Sequence, residues 1–244
     1  MLTERITMGK IKNHITLVYA YYENGGMLDR HLEEWKKYRH KENFSAIIVD
    51  DCSHRDPAEN HLQGADVGFP ISLYRITTDI PWNQNGARNL AMTFANDWCF
   101  LTDMDHLLSV RNAERLIRYS FNKKKHYKPQ RKLDNGSKYH QHPNTYVIHR
   151  DLYWDAGGYD EAFCGYYGSD STFRRQLKKI SSCVDFEKIY TNLYKREVIP
   201  DASTTDFGRK DSKYHVSNSE ELSKRRREHL PPIPPINFEW QRVL

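Results

Sequence analysis

The apolar positions of the chain follow two rhythms. "HITLVYAYY" (His14 to Tyr22) is a nearly unbroken apolar run, β-branched and aromatic, and predicts a strand buried on both faces. "FSAIIVDDCS" (Phe44 to Ser53), "ISLYRIT" (Ile71 to Thr77) and "WCFLTD" (Trp98 to Asp103) repeat the pattern. Between them the spacing changes. Leu28, Leu32, Trp35 and Tyr38 recur at helical intervals in "MLDRHLEEWKKYRH". A second helix is expected from about Arg88 in "NQNGARNLAMTFAN", after a run of turn residues. Strand, helix, strand, strand, helix, strand is an α/β alternation. It predicts a mostly parallel, twisted central sheet with helices on both faces.

The second half is less regular. A helix is expected over "VRNAERLIRYSF", a strand over Tyr146 to His149, and a helix over "SDSTFRRQLKKI" that starts near Ser169 or Asp170. "NKKKHYKPQRK" (Asn122 to Lys132) reads as a basic loop, and "SCVDFEKIYTNLYKREV" as one or two short strands. "LPPIPPINFEW" is too rich in proline for a regular helix or a central strand. The expected organisation is one domain over residues 1–216 and a basic, Pro-rich tail over 217–244, packed on the domain or extending from it.

Composition narrows the class. The 244 residues are 38% hydrophobic and 28% charged, a soluble balance. No apolar run approaches the roughly 18 residues of a membrane span. "MLTERITMGKIKNH" lacks a signal-peptide core, so a cytoplasmic protein is expected. Cys52, Cys99, Cys164 and Cys183 are far apart without a CxxC pair, which argues against a zinc knuckle or a disulfide framework. The net charge of +5 is concentrated. Asn122 to Lys132 carries six Lys or Arg and no acid, and "SKRRRE" (Ser223 to Glu228) forms a second cluster. These are either solvated surfaces or a face for an anionic partner: a phosphorylated substrate, a nucleic acid or a lipid head group.

The candidate chemistry lies where strands end. In open α/β sheets ligands bind beyond the carboxyl ends of the strands, and Asp50, Asp51, Asp103 and Asp105 all fall there. In "DMD" the residues i and i+2 of an extended segment point the same way, so Asp103 and Asp105 can reach one site. Two carboxylates suit a hard divalent cation that takes its other ligands from phosphate and water. The same spacing also serves a turn or a helix cap. Asp51 either accepts hydrogen bonds from a sugar or base edge or caps the turn "DCSHRDP". Gly86 and Arg88 open a helix whose N-terminus favours anions. Asp170 stands at a helix start, as a cap or as a general base facing a hydroxyl.

"VDDCS", "NGARN", "DMD" and "GGYDE…GYYGSD", in this order over roughly residues 14–216, resemble the GT-A glycosyltransferases, specifically the family-2-like enzymes and their galactosyltransferase relatives. The resemblance implies the GT-A fold and an inverting transfer of sugar from a nucleotide-diphosphate donor to an acceptor hydroxyl. It implies Mn²⁺ or Mg²⁺ held by Asp105, with Asp103 facing the ribose or the metal. Asp51 matches the acid that contacts the base or ribose, and Arg88 and Asn89 match the stretch lining the donor pocket. The end of the first strand, Ala20 to Glu23, matches the pocket's other wall. Asp170 matches the catalytic base, and Tyr166, with Tyr167 beside it, matches an aromatic platform for the acceptor. Ser169 departs from the family's usual second acid. His215 falls where relatives place a third metal ligand, while His106 is expected to be uninvolved. The acceptor is then a glycan or a small molecule. The basic segments also allow a hydroxylated base of DNA, and a non-catalytic nucleotide-sugar-binding protein remains a third possibility.

Overall fold

The computed structural model describes residues 10–80, 82–164, 169–200, 220–228 and 236–244. Among them the strands are β1 (Ile15–Tyr21), β2 (Phe44–Asp50), β3 (Ile71–Ile76), β4 (Trp98–Asp103), β5 (His106–Leu107), β6 (Lys125–Leu133), β7 (Lys138–Tyr139), β8 (Tyr146–His149), β9 (Ser182–Leu193) and β10 (Trp240–Arg242). They form one sheet in the order β10-β3-β2-β1-β4-β8-β6-β9-β5, with β7 paired to β6. The centre, β3-β2-β1-β4, is parallel. β10 and β8 flank it antiparallel. The apolar runs named above therefore became the buried parallel core.

The helices are α1 (Gly25–Trp35), α2 (Ala58–Leu62), α3 (Gln84–Phe94), α4 (Val110–Arg118), α5 (Arg150–Asp155) and α6 (Ser169–Ile180), with a further helix at Glu220–Glu228. Alternation along β1 divides the core. Leu17, Tyr19 and Tyr21 face a cluster with Leu28, Leu32 and Trp35 of α1 and Leu116 and Ile117 of α4. Val18 faces the other cluster, with Leu90 and Ala91 of α3, Leu152 of α5 and Phe173 of α6. Each face of the sheet is thus sealed by helices, and the polar rim at the carboxyl ends of the strands is left for chemistry.

Two expectations need correction. Asn122 to Lys132 is not a loop: most of it is β6, between β8 and β9. Its charges hid the strand because two of them point inward and cap carbonyl groups. The Lys128 ammonium donates to His142 O at 2.5 Å and Pro143 O at 3.0 Å, and Arg131 Nε donates to His140 O at 2.7 Å. Burial pushes the Lys128 ammonium down to about 7. Pro129, which has no N–H for the ladder, sits where the β6–β9 register shifts between Lys128 and Gln130. Second, Ser182 to Leu193 is one strand of 12 residues, longer than the one or two short strands expected. Arg225 of the "SKRRRE" cluster is also no surface cation: it is buried and paired with Asp160 at 2.9 Å.

Candidate active site

The end of β4 carries Asp103 to the rim, where it lies in register beside Ala20 of β1. Asp103 is not isolated. The fully buried Arg88 of α3 pairs with one of its oxygens, and His142 Nε2 lies 3.3 Å from the other. The Arg88 guanidinium holds the Asp103 carboxyl well below the usual carboxylate range, with His142 and His106 adding to it against the effect of burial. Arg88 in turn stacks on the Tyr159 ring, 4.8 Å from its centroid. Its Nε and Nη1 have no hydrogen-bond partner among the described residues.

Asp105 lies two residues on, beyond the strand, and is 36% exposed at its side chain. Its Oδ1 is 2.5 Å from His106 Nδ1, and Arg131 Nη1 is 3.2 Å from the opposite ring nitrogen. The rings of His106 and His142 stack at 4.1 Å. Each acid of "DMD" therefore has its own imidazole, and the two imidazoles brace each other. His142 Nδ1 meets Thr145 Oγ1 at 2.9 Å, and Thr145 meets Thr102 of β4 at 2.7 Å. Between the acids, the Met104 carbonyl accepts a hydrogen bond from His31 Nε2 on α1 at 2.8 Å. The turn that presents the two carboxylates is thus held from three elements.

The loop after α5 is fixed by Asn89. Its Oδ1 accepts from the Tyr159 N–H at 3.0 Å and its Nδ2 donates to the Tyr159 carbonyl at 2.9 Å. Its Oδ1 also accepts from the Tyr153 hydroxyl, at 2.5 Å. Gly158 can occupy this place only as glycine. Its φ is +67°, and a Cβ would lie 2.8 Å from Asn89 Oδ1. The Asn89 amide is thus committed to holding this loop. Asp170, at the start of α6, lies close enough to Arg88 and Tyr159 to raise the pKa of each. The four pieces Arg88, Asp103, Asp105 and Asp170 share one rim.

Other expected residues are placed as follows. Asp51 is buried, and its Oδ2 accepts from the Asn83 N–H at 3.0 Å, tying the β2 tip to the start of α3. Glu23 is buried too. Its two oxygens accept from the N–H groups of His54, Arg55 and Asp56 at 2.6, 3.0 and 2.6 Å, so it holds that loop against the end of β1. Asp50 caps its turn, accepting from Ser53 and Ala58 N–H groups. Tyr166, Tyr167 and His215 lie outside the described residues.

Three residues escaped the sequence reading. His106 is adjacent to Asp105 in the chain, and that adjacency was the available signal. His31 is a lone polar position on the apolar face of α1, between Leu28 and Leu32. His142 had no signal, because it reaches Asp103 only through the return of the chain into β8.

Comparison with solved structures shows the same fold. The chain superposes on a mannosyltransferase, PcManGT from Pyrobaculum calidifontis, in complex with GDP-Man and Mn²⁺. The TM-score is 0.60 at 12% identity, over 74% of this chain and 56% of that one. It superposes on S. aureus TarS 1-349 in complex with UDP-GlcNAc with a TM-score of 0.62 at 16% identity, over 75% and 58% of the two chains. For GalNAc-T7 with UDP, GalNAc and Mn²⁺ the TM-score is 0.61 at 11% identity, over 76% and 44%. The chain has the GT-A fold. It is similar to GT-A-type glycosyltransferases, and it spans between about two fifths and three fifths of the length of these neighbours. By sequence, no family model and no curated protein matches. No helix among the described residues is long and apolar enough to cross a membrane.

The buried histidines give the fold a pH signature. Burial pushes His31 and His126 from 6.5 down to about 4. The unfolded chain takes up these protons below about 6.5, and the folded chain only below about 4. Stability is therefore lost as pH falls through that window, by on the order of 3 kcal/mol for the fully buried His31 and by less for His126, whose ring solvent screens in part. The depressed Asp103 adds a loss in the same direction at still lower pH. Urea unfolding at pH 7, 5.5 and 4.5 should show a steadily falling midpoint, and a flat profile would contradict the burial of these rings as neutral groups.

Proposed function

We propose that the protein is a metal-dependent, inverting glycosyltransferase that moves a sugar from a nucleotide-diphosphate donor to a hydroxyl of a glycan or small acceptor. The carrying observation is the convergence of Asp103, Asp105, Arg88 and Asp170 on one rim of a GT-A fold. The donor set fits a hard cation. Asp105 keeps one oxygen without a partner among the described residues, and both ligands are carboxylate oxygens. Asp105, supported by Asp103, would hold Mn²⁺ or Mg²⁺, which when bound offsets the charge of the departing nucleoside diphosphate.

The remaining roles belong to the chain. Arg88 keeps Asp103 ionised and oriented. The buried Asp51 fixes the two loops that would flank the nucleoside. Asp170 takes the proton of the acceptor hydroxyl as its oxygen attacks the anomeric carbon. Attack opposite the diphosphate inverts the anomeric configuration. Free cysteines at Cys52, Cys99, Cys164 and Cys183 suit a reducing compartment such as the cytoplasm.

The test is a matrix of UDP, GDP, CDP and TDP sugars with candidate acceptors, read by nucleoside diphosphate release and by NMR of the product's anomeric proton. Release of diphosphate with an inverted product supports the reading, and a retained configuration removes Asp170 as base. The basic segment decides the acceptor class. With Lys128 and Arg131 committed to backbone carbonyls, Lys123, Lys124, Lys125 and Lys132 remain. Their replacement by Ser or Gln should leave glycan transfer unchanged. If the acceptor were DNA, the same changes would flatten the salt dependence of binding by about one unit of slope per lost phosphate contact.

A further inference from the structure

Beyond β2 and β3 a second set of ligand-type side chains converges, with different chemistry from the carboxylates at the tip of β4. Cys52 follows Asp51, and its Sγ lies 3.9 Å from His54 Nε2. That nitrogen lies 3.3 Å from Asp79 Oδ2. All three ligand atoms fall within 4.8 Å of one another. A tetrahedral zinc, with Zn–S of about 2.3 Å and Zn–N and Zn–O of about 2.0–2.2 Å, places sulfur and nitrogen about 3.6 Å apart and nitrogen and oxygen about 3.4 Å apart. The sulfur–nitrogen and nitrogen–oxygen edges lie within a few tenths of an ångström of these values, and the sulfur–oxygen edge is no longer than 4.8 Å.

The scaffold is preformed. Cys52 is held at φ +57°, in the left-handed region that a non-glycine residue rarely enters. The backbone of His54 is clamped by Glu23, whose Oε1 accepts its N–H at 2.6 Å. Cys52 is buried, while His54 and Asp79 are exposed, so an ion can enter from solvent. We propose that Cys52, His54 and Asp79 form a zinc site, separate from the Asp103–Asp105 rim. A fourth position is left for water or a ligand. Thiolate with imidazole selects Zn²⁺ over Mg²⁺ or Mn²⁺, whereas the all-oxygen pair at the end of β4 selects the reverse. Binding displaces the thiol proton to solvent. The bound ion ties the loop after β2 to the loop after β3, on either side of Asp51, and so stiffens the wall next to that acid. The proposal does not depend on the glycosyltransferase reading.

The test uses the full chain stripped of metal and titrated with Co²⁺. Wild type should give a thiolate-to-cobalt charge-transfer band at one equivalent, displaced by Zn²⁺ and untouched by excess Mn²⁺. C52S should lose the band. H54A changes an exposed side chain that the fold does not need, and should weaken Co²⁺ and Zn²⁺ at least about tenfold. D105N should keep the band, as should C183S, which controls for the exposed Cys183 beside Asp185. No band in wild type, a band surviving in C52S, or a band lost in C183S instead would overturn the site.

Discussion

Asp105→Asn should abolish sugar transfer and Mn²⁺-dependent donor binding while leaving thermal stability within about 0.5 kcal/mol of wild type. The residue is partly exposed and gives one oxygen to His106. Its loss removes an anionic ligand from a hard-cation site and little packing. Asp103→Asn makes the informative contrast. It should also lose activity, but it leaves the fully buried Arg88 without its counter-ion. Breaking such a pair costs about 3–5 kcal/mol, or roughly 10 °C in Tm for a chain of this size. Differential scanning calorimetry beside a donor-release assay separates the two. Equal stability of both variants would mean that Asp103 does not hold Arg88 in solution.

The second large effect is at Asp170. Asp170→Asn should still bind donor and Mn²⁺ but lose transfer by a factor of about 10²–10⁴, the contribution of a general base. The side chain stands inside the first turn of α6, where an acid also complements the helix dipole, worth about 0.3–1 kcal/mol. Stability should therefore change little, and a purely structural role predicts nearly normal transfer. Single-turnover kinetics with preloaded donor reads the chemical step directly. Near-normal transfer in the variant would leave Asp170 a structural charge in the first turn of α6.

The parts of the fold legible in the sequence are those whose apolar pattern matches their burial. β1, β2 and β4 are covered on both faces, so they read as continuous apolar runs. α1 buries one stripe, so it reads as a helix. β6 did not read as a strand, because Lys128 and Arg131 bury charged side chains whose cost is offset by carbonyl groups from the segment before β8. No local pattern signals a partner 9 to 15 residues away. Site legibility follows the same rule. Asp103 and Asp105 stood out because two acids directly follow a buried apolar strand. Asn89, expected to line the donor pocket, clamps Tyr159 with its amide. Its type fits either role, and only the position of Gly158 against its amide distinguishes them.

The most direct measurement is isothermal titration of the wild type and Asp105→Asn with UDP, GDP, CDP and TDP sugars, in Mn²⁺ and again in EDTA. The account predicts that at least one donor binds the wild type in Mn²⁺, and that this binding is lost both in EDTA and in the variant. Donor binding that survives EDTA and the substitution, or no donor binding at all in Mn²⁺, would contradict it.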